Sequence, residues 1–246
     1  MSSLDRSAPV PLYHQLKRVI LEEIEAGRWK FDERLPTEDE LGARFAVSKI
    51  TVRQALRELS DLGYIRREQG RGTFVQRPKL EEGPRELTSF TEEMGRHGLR
   101  ATSKVLEQGS VAAPEHIAAA LQIAIGAPVF RLRRLRLADG EPMGIQTACV
   151  SMTLVPGIDR MSFTDASLYD ILQSRFDLHP VRARETHVAV LVGSEDAALL
   201  GLSQGSPVLA AERIAYGSDG RPLEYVSSIM RGDRYKIVLD LARPGR

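Results

Sequence analysis

The sequence predicts an α+β protein of two domains. Three helical patterns followed by a short basic hairpin occupy the first part of the chain, up to residue 77. Residues 78–84 carry two prolines, a glycine and several charges, a composition typical of a domain boundary. Residues 85–246 then alternate strand patterns with short helical ones, and Asp-Gly turns indicate antiparallel hairpins. We therefore expect a helical domain at 1–77, a linker at 78–84 and an antiparallel-sheet domain at 85–246.

Composition excludes several classes of protein. The 246 residues are 42% hydrophobic and 27% charged, as expected for globular domains with buried cores. No apolar run reaches membrane-spanning length, and the N-terminus lacks the basic start and apolar core of a secretory signal. Cys149 is the single cysteine, so neither an intramolecular disulfide nor a thiolate metal cluster is expected. These features favour a cytoplasmic protein without a membrane partner.

The N-terminal part predicts one helix over 11–26 and a shorter one after it. Pro11 suits the first position of the first helix, and Gly27 suits a left-handed stop. Thr37 and Glu40 form a capping-box pattern, which begins the second helix. This helix is expected to end at a tight turn before the next helical pattern.

A third helix is expected from an N-cap at Ser48 to about residue 62. Its apolar stripe consists of Val52, Ala55, Leu56 and Leu59. The opposite face then presents Lys49, Ile50, Thr51, Arg53, Gln54 and Arg57. Arginine pairs with guanine, glutamine with adenine, and a helix N-terminus attracts phosphate. This face therefore predicts the recognition helix of a helix-turn-helix, the alternative being an ordinary amphipathic helix with a polar outer face.

A basic hairpin follows the third helix. Its strands are expected at 64–67 and 73–75, with Gly70, Arg71 and Gly72 at the tip. The two glycines let the backbone approach a neighbouring surface, and a narrow loop with one arginine suits the minor groove of DNA. A helix-turn-helix with such a hairpin is a winged helix.

Charge is concentrated in the same region. Residues 44–79 hold nine basic and three acidic side chains, a net charge of +6, whereas the whole chain carries +1. A local basic surface on a near-neutral protein is typical of a nucleic-acid-binding module joined to a module of another kind. A solvated basic face is the alternative explanation.

The C-terminal part predicts four helices and six strands. Helical patterns cover 89–97, 114–123, 167–176 and 194–202. Strand patterns cover 103–112, 128–138, 143–152, 182–192, 207–217 and 223–230. The segments RLRLADGEPMGI and RIAYGSDGRPLEYV each place Asp-Gly between apolar runs and resemble each other, which indicates two hairpins and an internal duplication.

Three features of this part indicate a small anionic ligand. The segment from Leu87 to Met94 opens a helix with hydroxyl and backbone N–H groups. Strand alternation places Arg134 and Arg136 on one face, where paired arginines suit phosphate or carboxylate. Ser167 and Tyr169 begin another helix. Ordinary helix caps and surface salt bridges are the alternative explanation for each feature.

The N-terminal motifs resemble the DNA-binding domain of the GntR family of bacterial regulators over about residues 9–77. The resemblance is carried by PLYHQLKRVILEEIEAGRW, LPTEDELGARFAVSKITVRQALRELSDLGYI and GRGTFV. It implies a dimer on palindromic, double-stranded operator DNA. It also supports DNA contacts from Lys49, Thr51, Arg53, Gln54 and Arg71. The full predicted set of DNA-contact residues further includes Thr37, Ser48, Arg57, Gly70 and Gly72. Members often carry arginine where this chain has Asp39 and Lys49, and Asp39 near phosphates would be repulsive.

The C-terminal motifs resemble the UTRA effector domain of the HutC subfamily, which has a chorismate lyase-like fold. They are LTSFTEEM, RLRRLRLADGEPMGIQ, ASLYDIL, LGLSQGSPVL and PLEYVSSIMRGDRYKI. The resemblance is strongest to regulators of N-acetylglucosamine use, which bind an amino-sugar phosphate. It implies a phosphate site made by Phe90, Thr91, Arg134, Arg136, Ser167 and Tyr169, with Gln146 and Glu224 facing the sugar. Those regulators tend to carry glutamate in place of Gln146 and tyrosine in place of Met230, which leaves room for a different phosphorylated or anionic effector.

These inferences predict a homodimeric transcription factor, a repressor controlled by a small phosphorylated, sugar phosphate-like effector. A regulator that responds to a carboxylate such as urocanate is one alternative, and an activator or architectural DNA binder without an effector is another. An enzyme is disfavoured, because the five histidines are scattered and no P-loop, dinucleotide or nucleophile motif occurs. No cofactor, metal or catalytic residue is expected.

Overall fold

The chain divides into two compact units, Met1–Lys79 and Leu80–Arg246. The structure, a computed structural model, describes residues 4–6, 9–76, 79–82, 87–164 and 166–238. Parts of the predicted linker, residues 78 and 83–84, lie outside the described residues, as does Arg77 of the basic segment. None of the described helices is long and apolar enough to cross a membrane.

The N-terminal unit consists of three helices and a hairpin. They are α1 (Leu12–Glu25), α2 (Glu38–Phe45), α3 (Lys49–Asp61), β1 (Ile65–Glu68) and β2 (Gly72–Val75). The capping predictions are confirmed, since Thr37 and Glu40 form a complete capping box and the Ser48 side chain accepts a hydrogen bond from a backbone N–H of α3. Pro11 is corrected from first residue to N-cap of α1, because its ψ of 142° is extended and not helical.

The core of this unit sets the rotation of α3. Its buried residues, including Leu16, Ile20, Val52, Leu56 and Leu59, come mainly from α1 and α3. Burying each such side chain contributes about 2 kcal/mol. Because this apolar stripe faces inward, the polar face of α3 points to solvent, as the sequence predicts.

The C-terminal unit is built on one antiparallel sheet. Its helices are α4 (Phe90–Arg96), α5 (Glu115–Leu121), a 3-10 helix at Ile158–Arg160, α6 (Leu168–Phe176) and α7 (Ser194–Leu200). Its strands are β3 (Leu80–Glu82), β4 (Ala101–Ala112), β5 (Pro128–Ala138), β6 (Glu141–Ser151), β7 (Arg182–Leu191), β8 (Pro207–Tyr216), β9 (Pro222–Arg231) and β10 (Tyr235–Ile237). Six strands form the sheet in the order β4-β5-β6-β9-β8-β7, and each neighbouring pair is antiparallel. All four predicted helices and six predicted strands are confirmed, with ends shifted by at most two residues.

The remaining two strands correct the predicted linker. Residues 80–82 were expected to connect the domains, but they form β3, which pairs in parallel with β10. Leu80 lies opposite Tyr235, and the Leu80 N–H donates to the carbonyl of Arg234. Each strand has three residues, too few for a sequence pattern, so only the pairing itself reveals them.

The sheet supports the predicted internal duplication. A strand and a helix followed by a two-stranded hairpin occur once as β4-α5-β5-β6 and again as β7-α7-β8-β9, and the two copies meet at the β6–β9 pair. In both copies the first strand of the hairpin begins at the proline of a Gly-x-Pro-Val segment, at 126–129 and at 205–208. Both hairpins turn at Asp-Gly, with the glycines Gly140 and Gly220 at a φ of 81°.

Strand β5 connects this fold to the predicted ligand site. Phe130 and Leu132 pack in the core beneath α6, whereas Leu135 packs in a separate core with α7. Residues two and four positions beyond Leu132 continue the face beneath α6. These residues are Arg134 and Arg136, and both are buried.

Candidate DNA-binding surface and ligand cavity

The exposed face of α3 carries the predicted contact residues. Lys49, Arg53, Gln54 and Arg57 are exposed and Thr51 is half-buried. Ile50 beside them is 79% exposed, an unusual position for a large apolar side chain. The structure therefore brings the α3 members of the predicted set together on one surface.

Two hydroxyl groups of the predicted DNA-contact set, those of Thr37 and Ser48, serve as helix caps. The Thr37 and Ser48 side chains accept hydrogen bonds from backbone N–H groups in the first turns of α2 and α3. The Ser48 and Thr51 hydroxyl oxygens lie 2.9 Å apart. These bonds hold the N-terminal turns of both helices in fixed positions.

Acidic residues of α2 pair with the cations of α3 and the hairpin. Lys49 Nζ lies 2.8 Å from the Asp39 carboxylate, and Arg53 Nε lies 2.7 Å from that of Glu38. Arg67 Nη1 lies 3.6 Å from the same Glu38 carboxylate. A polyanion that binds here must therefore exchange these ion pairs for its own contacts.

The hairpin tip uses its two glycines differently. Gly70 has a φ of 74° and open space where a Cβ would stand. Gly72 has a φ of 126°, and a Cβ there would lie only 2.7 Å from Arg34 Nε. Arg71 is exposed between them, pairs with Glu68, and lies 5.8 Å from the centre of the Phe74 ring. Gly72 thus makes room for Arg34 within this domain, a packing reason that the sequence did not reveal.

The C-terminal unit contains a small pocket beneath α6, with a free volume of about 20 Å³, here called the arginine chamber. It is lined by Ser89, Phe90, Arg134, Arg136, Gln146, Ser167, Leu168, Tyr169, Arg213, Glu224 and Val226. Seven of the eight residues predicted for the effector site lie in this lining. Thr91 is the exception, because its side chain is exposed on α4 and lines neither this chamber nor the one that adjoins it.

Arg134 and Arg136 are buried with part of their hydrogen-bonding capacity unused. Arg134 Nη1 donates to the Ala166 carbonyl at 3.0 Å, and Arg136 Nη1 donates to Ser103 Oγ at 2.8 Å. The Nε of each has no hydrogen-bond acceptor within the described residues. The Arg136 guanidinium also stacks 4.4 Å from the centre of the Phe90 ring.

Burial makes these charges costly. It lowers the pKa of Arg134 to about 10, against the attraction of Glu224. It lowers the pKa of Arg136 well below its usual range, and the neighbouring charge of Arg134 adds to this effect. Two desolvated guanidinium groups with open donors favour binding of an anion.

A buried carboxylate faces these arginines. Glu224 is 2% exposed, and burial raises its pKa even though Arg213, Tyr169 and Arg134 act in the opposite direction. Burial and the facing Glu224 carboxylate raise the pKa of the Tyr169 hydroxyl, which therefore stays protonated. The chamber thus combines cations, a neutral hydroxyl and one acid.

Arg213 is the charged lining residue that the sequence analysis missed. Its Nη2 lies 3.1 and 3.3 Å from the two Glu185 oxygens, and its Nη1 donates to the Thr88 carbonyl. Burial alone would lower the pKa of Arg213, but the Glu185 carboxylate raises it overall. Alignment of the two Gly-x-Pro-Val segments places Arg213 at the position of Arg134, a signal that was present in the sequence.

Arg213 also lines an adjoining pocket with a free volume of about 40 Å³. Its other lining residues are Thr88, Phe90, Glu93, Gln146, Glu185, His187, Leu209, Ala211, Ser228, Met230 and Tyr235. Phe90, Gln146 and Arg213 are shared by both chambers. The two pockets therefore adjoin each other at these three side chains.

A winged helix with a basic recognition face, and a separate sheet domain with a buried cavity, define the class of transcription regulators that join a DNA-binding domain to an effector-binding domain. Residues 12–75 match the model of bacterial regulatory proteins of the gntR family, and residues 96–236 match the UTRA domain. The chain belongs to the GntR family of transcriptional regulators and has the domain composition of its HutC-type repressors.

Relatives along the whole chain agree with this assignment. The transcriptional repressor NagR of Bacillus subtilis is 33% identical over 96% of this chain and 97% of its own length. The histidine utilization repressor of Klebsiella aerogenes is 32% identical over 94% of this chain and 95% of its own length. The crystal structure of PhnF from Mycobacterium smegmatis superposes with a TM-score of 0.75 at 32% identity, covering 92% of this chain and 99% of that one. These relatives confirm the predicted fold and the prediction of a transcriptional repressor rather than an enzyme.

Proposed function

We propose that this repressor binds a palindromic operator as a homodimer and is controlled by a small phosphorylated effector held in the arginine chamber. Two recognition helices on a symmetric dimer would lie one DNA turn apart, which suits a palindromic site. The effector would act through different affinities for the DNA-binding and non-binding arrangements of the two domains.

The open Nε groups of Arg134 and Arg136 carry the effector part of this proposal. Each is a buried donor without an acceptor within the described residues, a state that costs free energy until a ligand supplies one. With Arg213, the chamber offers three guanidinium groups. A phosphate has more acceptor oxygens than a carboxylate, so this number of donors favours a phosphorylated ligand.

A carboxylate effector is the second candidate. It is favoured by the similarity to the histidine utilization repressor. Urocanate is therefore included in the test as a carboxylate without phosphate.

The effector experiment is a thermal-shift screen of the full chain against sugar phosphates, amino-sugar phosphates, phosphonates and urocanate. Binding to the folded state raises the melting temperature. Each ligand that does so is then titrated calorimetrically into the wild type, Arg134→Ala and Arg131→Ala. Arg131 is a matched control, since it lies on the same strand but pairs with Glu107 outside the chamber. We expect loss of binding in Arg134→Ala alone, whereas equal binding by all three proteins would refute the assigned site.

The DNA experiment uses gel shifts with DNA fragments selected by the wild-type chain. Lys49→Ala and Arg53→Ala should weaken binding without unfolding the domain, because both side chains are exposed. Arg18→Ala, on the exposed side of α1, is the control. Unchanged affinity in both α3 variants would contradict the assignment of α3 as recognition helix. Sedimentation of the complex at equilibrium tests the proposed stoichiometry of two chains per operator.

A further inference from the structure

The ion pair between Asp39 and Lys49 lies on the candidate DNA-binding surface, where the first turns of α2 and α3 meet. Asp39 is in the first turn of α2 and Lys49 is the first residue of α3. Lys49 Nζ lies 2.8 and 2.9 Å from the two Asp39 carboxylate oxygens. The Asp39 side chain is 77% exposed and the Lys49 side chain 48%, so both can reach a molecule on this surface.

The two other acids of this turn have different environments, and the Glu40 carboxylate accepts the hydrogen bonds of the capping box from Thr37. The Glu38 side chain is only 23% exposed and pairs with both Arg53 and Arg67, so it connects α2 to α3 and the hairpin. Asp39 instead presents its carboxylate outward beside a single ammonium group. Asp39 is therefore the acid that a bound DNA duplex would meet.

Few groups of a DNA duplex can lie favourably next to a carboxylate on the protein surface. Phosphate oxygens repel it, and the hydrogen-bond donors that the major groove offers are the amino groups of cytosine and adenine. A lysine ammonium has the opposite requirement, since it only donates. The pair thus presents one acceptor directly beside one donor.

This arrangement matches the major-groove edge of a G·C base pair. Guanine presents two acceptors, O6 and N7, which suit lysine, and cytosine presents the N4 amino group, which suits aspartate. An A·T pair also has two acceptors, adenine N7 and thymine O4, but the adenine amino group lies between them, so a lysine meets only one acceptor at a time. The donor and acceptor of the ion pair are therefore better satisfied by G·C.

We propose that Asp39 and Lys49 together read one G·C base pair in each operator half-site, with Lys49 on guanine and Asp39 on cytosine. This inference rests on the proposed operator binding. Asp39 is then a specificity-determining residue, since it opposes binding to DNA that lacks a cytosine amino group at this place. Its removal should increase affinity for unrelated DNA while reducing discrimination between operators.

The test is selection of binding sites from a randomised DNA library by the full-length wild type, Asp39→Ala, Asp39→Asn and Lys49→Ala. Asp61→Asn, an exposed acid at the opposite end of α3, is the matched control. In the wild type we expect about tenfold discrimination for G·C at one position of each half-site. Asp39→Ala and Lys49→Ala should lose the G·C preference at the same position, because the Asp39 and Lys49 side chains contact the two bases of one pair. Asp39→Asn should change which base pair is preferred at that position, and Asp61→Asn should keep the wild-type preference.

The outcomes separate this inference from the proposed function. If the wild type selects a palindrome and Asp39→Ala selects the same one with equal discrimination, the Asp39 inference is refuted and operator binding stands. Loss of preference at two different positions in Asp39→Ala and Lys49→Ala would also refute the shared reading. If the wild type enriches no sequence, the proposed operator binding itself fails, and the inference fails with it.

Discussion

Arg134 and Arg213 occupy equivalent positions in the two halves of the C-terminal sheet, and both line the arginine chamber. Each lies six residues after the proline of a Gly-x-Pro-Val segment. Their partners differ, since Arg134 donates to the Ala166 carbonyl whereas Arg213 pairs with the Glu185 carboxylate. The duplicated fold therefore supplies Arg134, which has a hydrogen-bond donor without an acceptor among the described residues, and Arg213, whose charge is balanced by Glu185.

This difference predicts separate effects on stability and on ligand binding. Arg213→Gln should destabilise the fold by about 3 kcal/mol, because it leaves the Glu185 charge without its guanidinium partner. The double variant Arg213→Gln/Glu185→Gln should recover most of that stability but not the effector affinity. Denaturant unfolding and calorimetric titration of the wild type and these two variants measure the two quantities. Recovery of both stability and effector affinity in the double variant would show that Arg213 serves only to balance the Glu185 charge and does not contact the effector.

A second prediction concerns Glu38, which pairs with Arg53 and Arg67. Glu38→Gln should release both guanidinium groups for phosphate contacts. We expect about threefold tighter DNA binding at low salt and a steeper salt dependence, by roughly one unit of slope in a plot of log affinity against log salt. Fluorescence anisotropy between 50 and 200 mM salt, about the range over which phosphate contacts are resolved, measures this.

Glu22→Gln is the matched control, since Glu22 pairs with Arg18 on α1, away from the predicted contact residues. Weaker binding by Glu38→Gln would show the opposite role, in which Glu38 positions Arg53 for DNA.

A third prediction compares the two glycines of the hairpin tip. Gly72→Ala places a Cβ against Arg34 at a φ of 126° and should cost about 3 kcal/mol. Gly70→Ala meets open space at a φ of 74° and should cost only about 1 kcal/mol. Trp29 is the single tryptophan and packs against the N-terminal core, so its fluorescence reports unfolding of this domain within the full chain. Equal losses in the two variants would contradict the packing role of Gly72.

The elements that could be predicted from the sequence depend on local signals. Helix caps, apolar periodicity and Asp-Gly turns act within a few residues, which is why α2, α3 and both hairpins are predicted correctly. Strand alternation likewise places Arg134 and Arg136 on one face. By contrast, β3 and β10 exist only through their pairing with each other, which the local sequence of neither segment encodes.

The candidate sites show the same limit. The exposure of the α3 face follows from its apolar stripe, but the Asp39–Lys49 and Glu38–Arg53 pairs depend on how α2 crosses α3. The requirement for glycine at position 72 comes from contact with Arg34, which is distant in sequence. Thr91 was placed by resemblance alone, and its side chain lies outside the chamber lining.

The last prediction concerns the pH dependence of stability. The Glu224 carboxyl is buried and its pKa is raised above the ordinary value, so the folded state keeps this proton to higher pH than the unfolded chain. Its contribution is therefore fully present below the ordinary carboxyl pKa and is lost as pH rises through the raised folded value. Relative to Glu224→Gln, which cannot ionise, the wild type should lose stability across that window.

Calorimetric melting of both proteins from about pH 4 upward measures the difference, starting near the ordinary pKa of a carboxyl. The exposed Glu115→Gln is the control, and it should follow the wild type at every pH. Parallel curves for the wild type and Glu224→Gln would mean that the three arginines hold Glu224 ionised in the folded state. In that case the chamber would already contain its counter-charge, and an anionic effector would have to displace it.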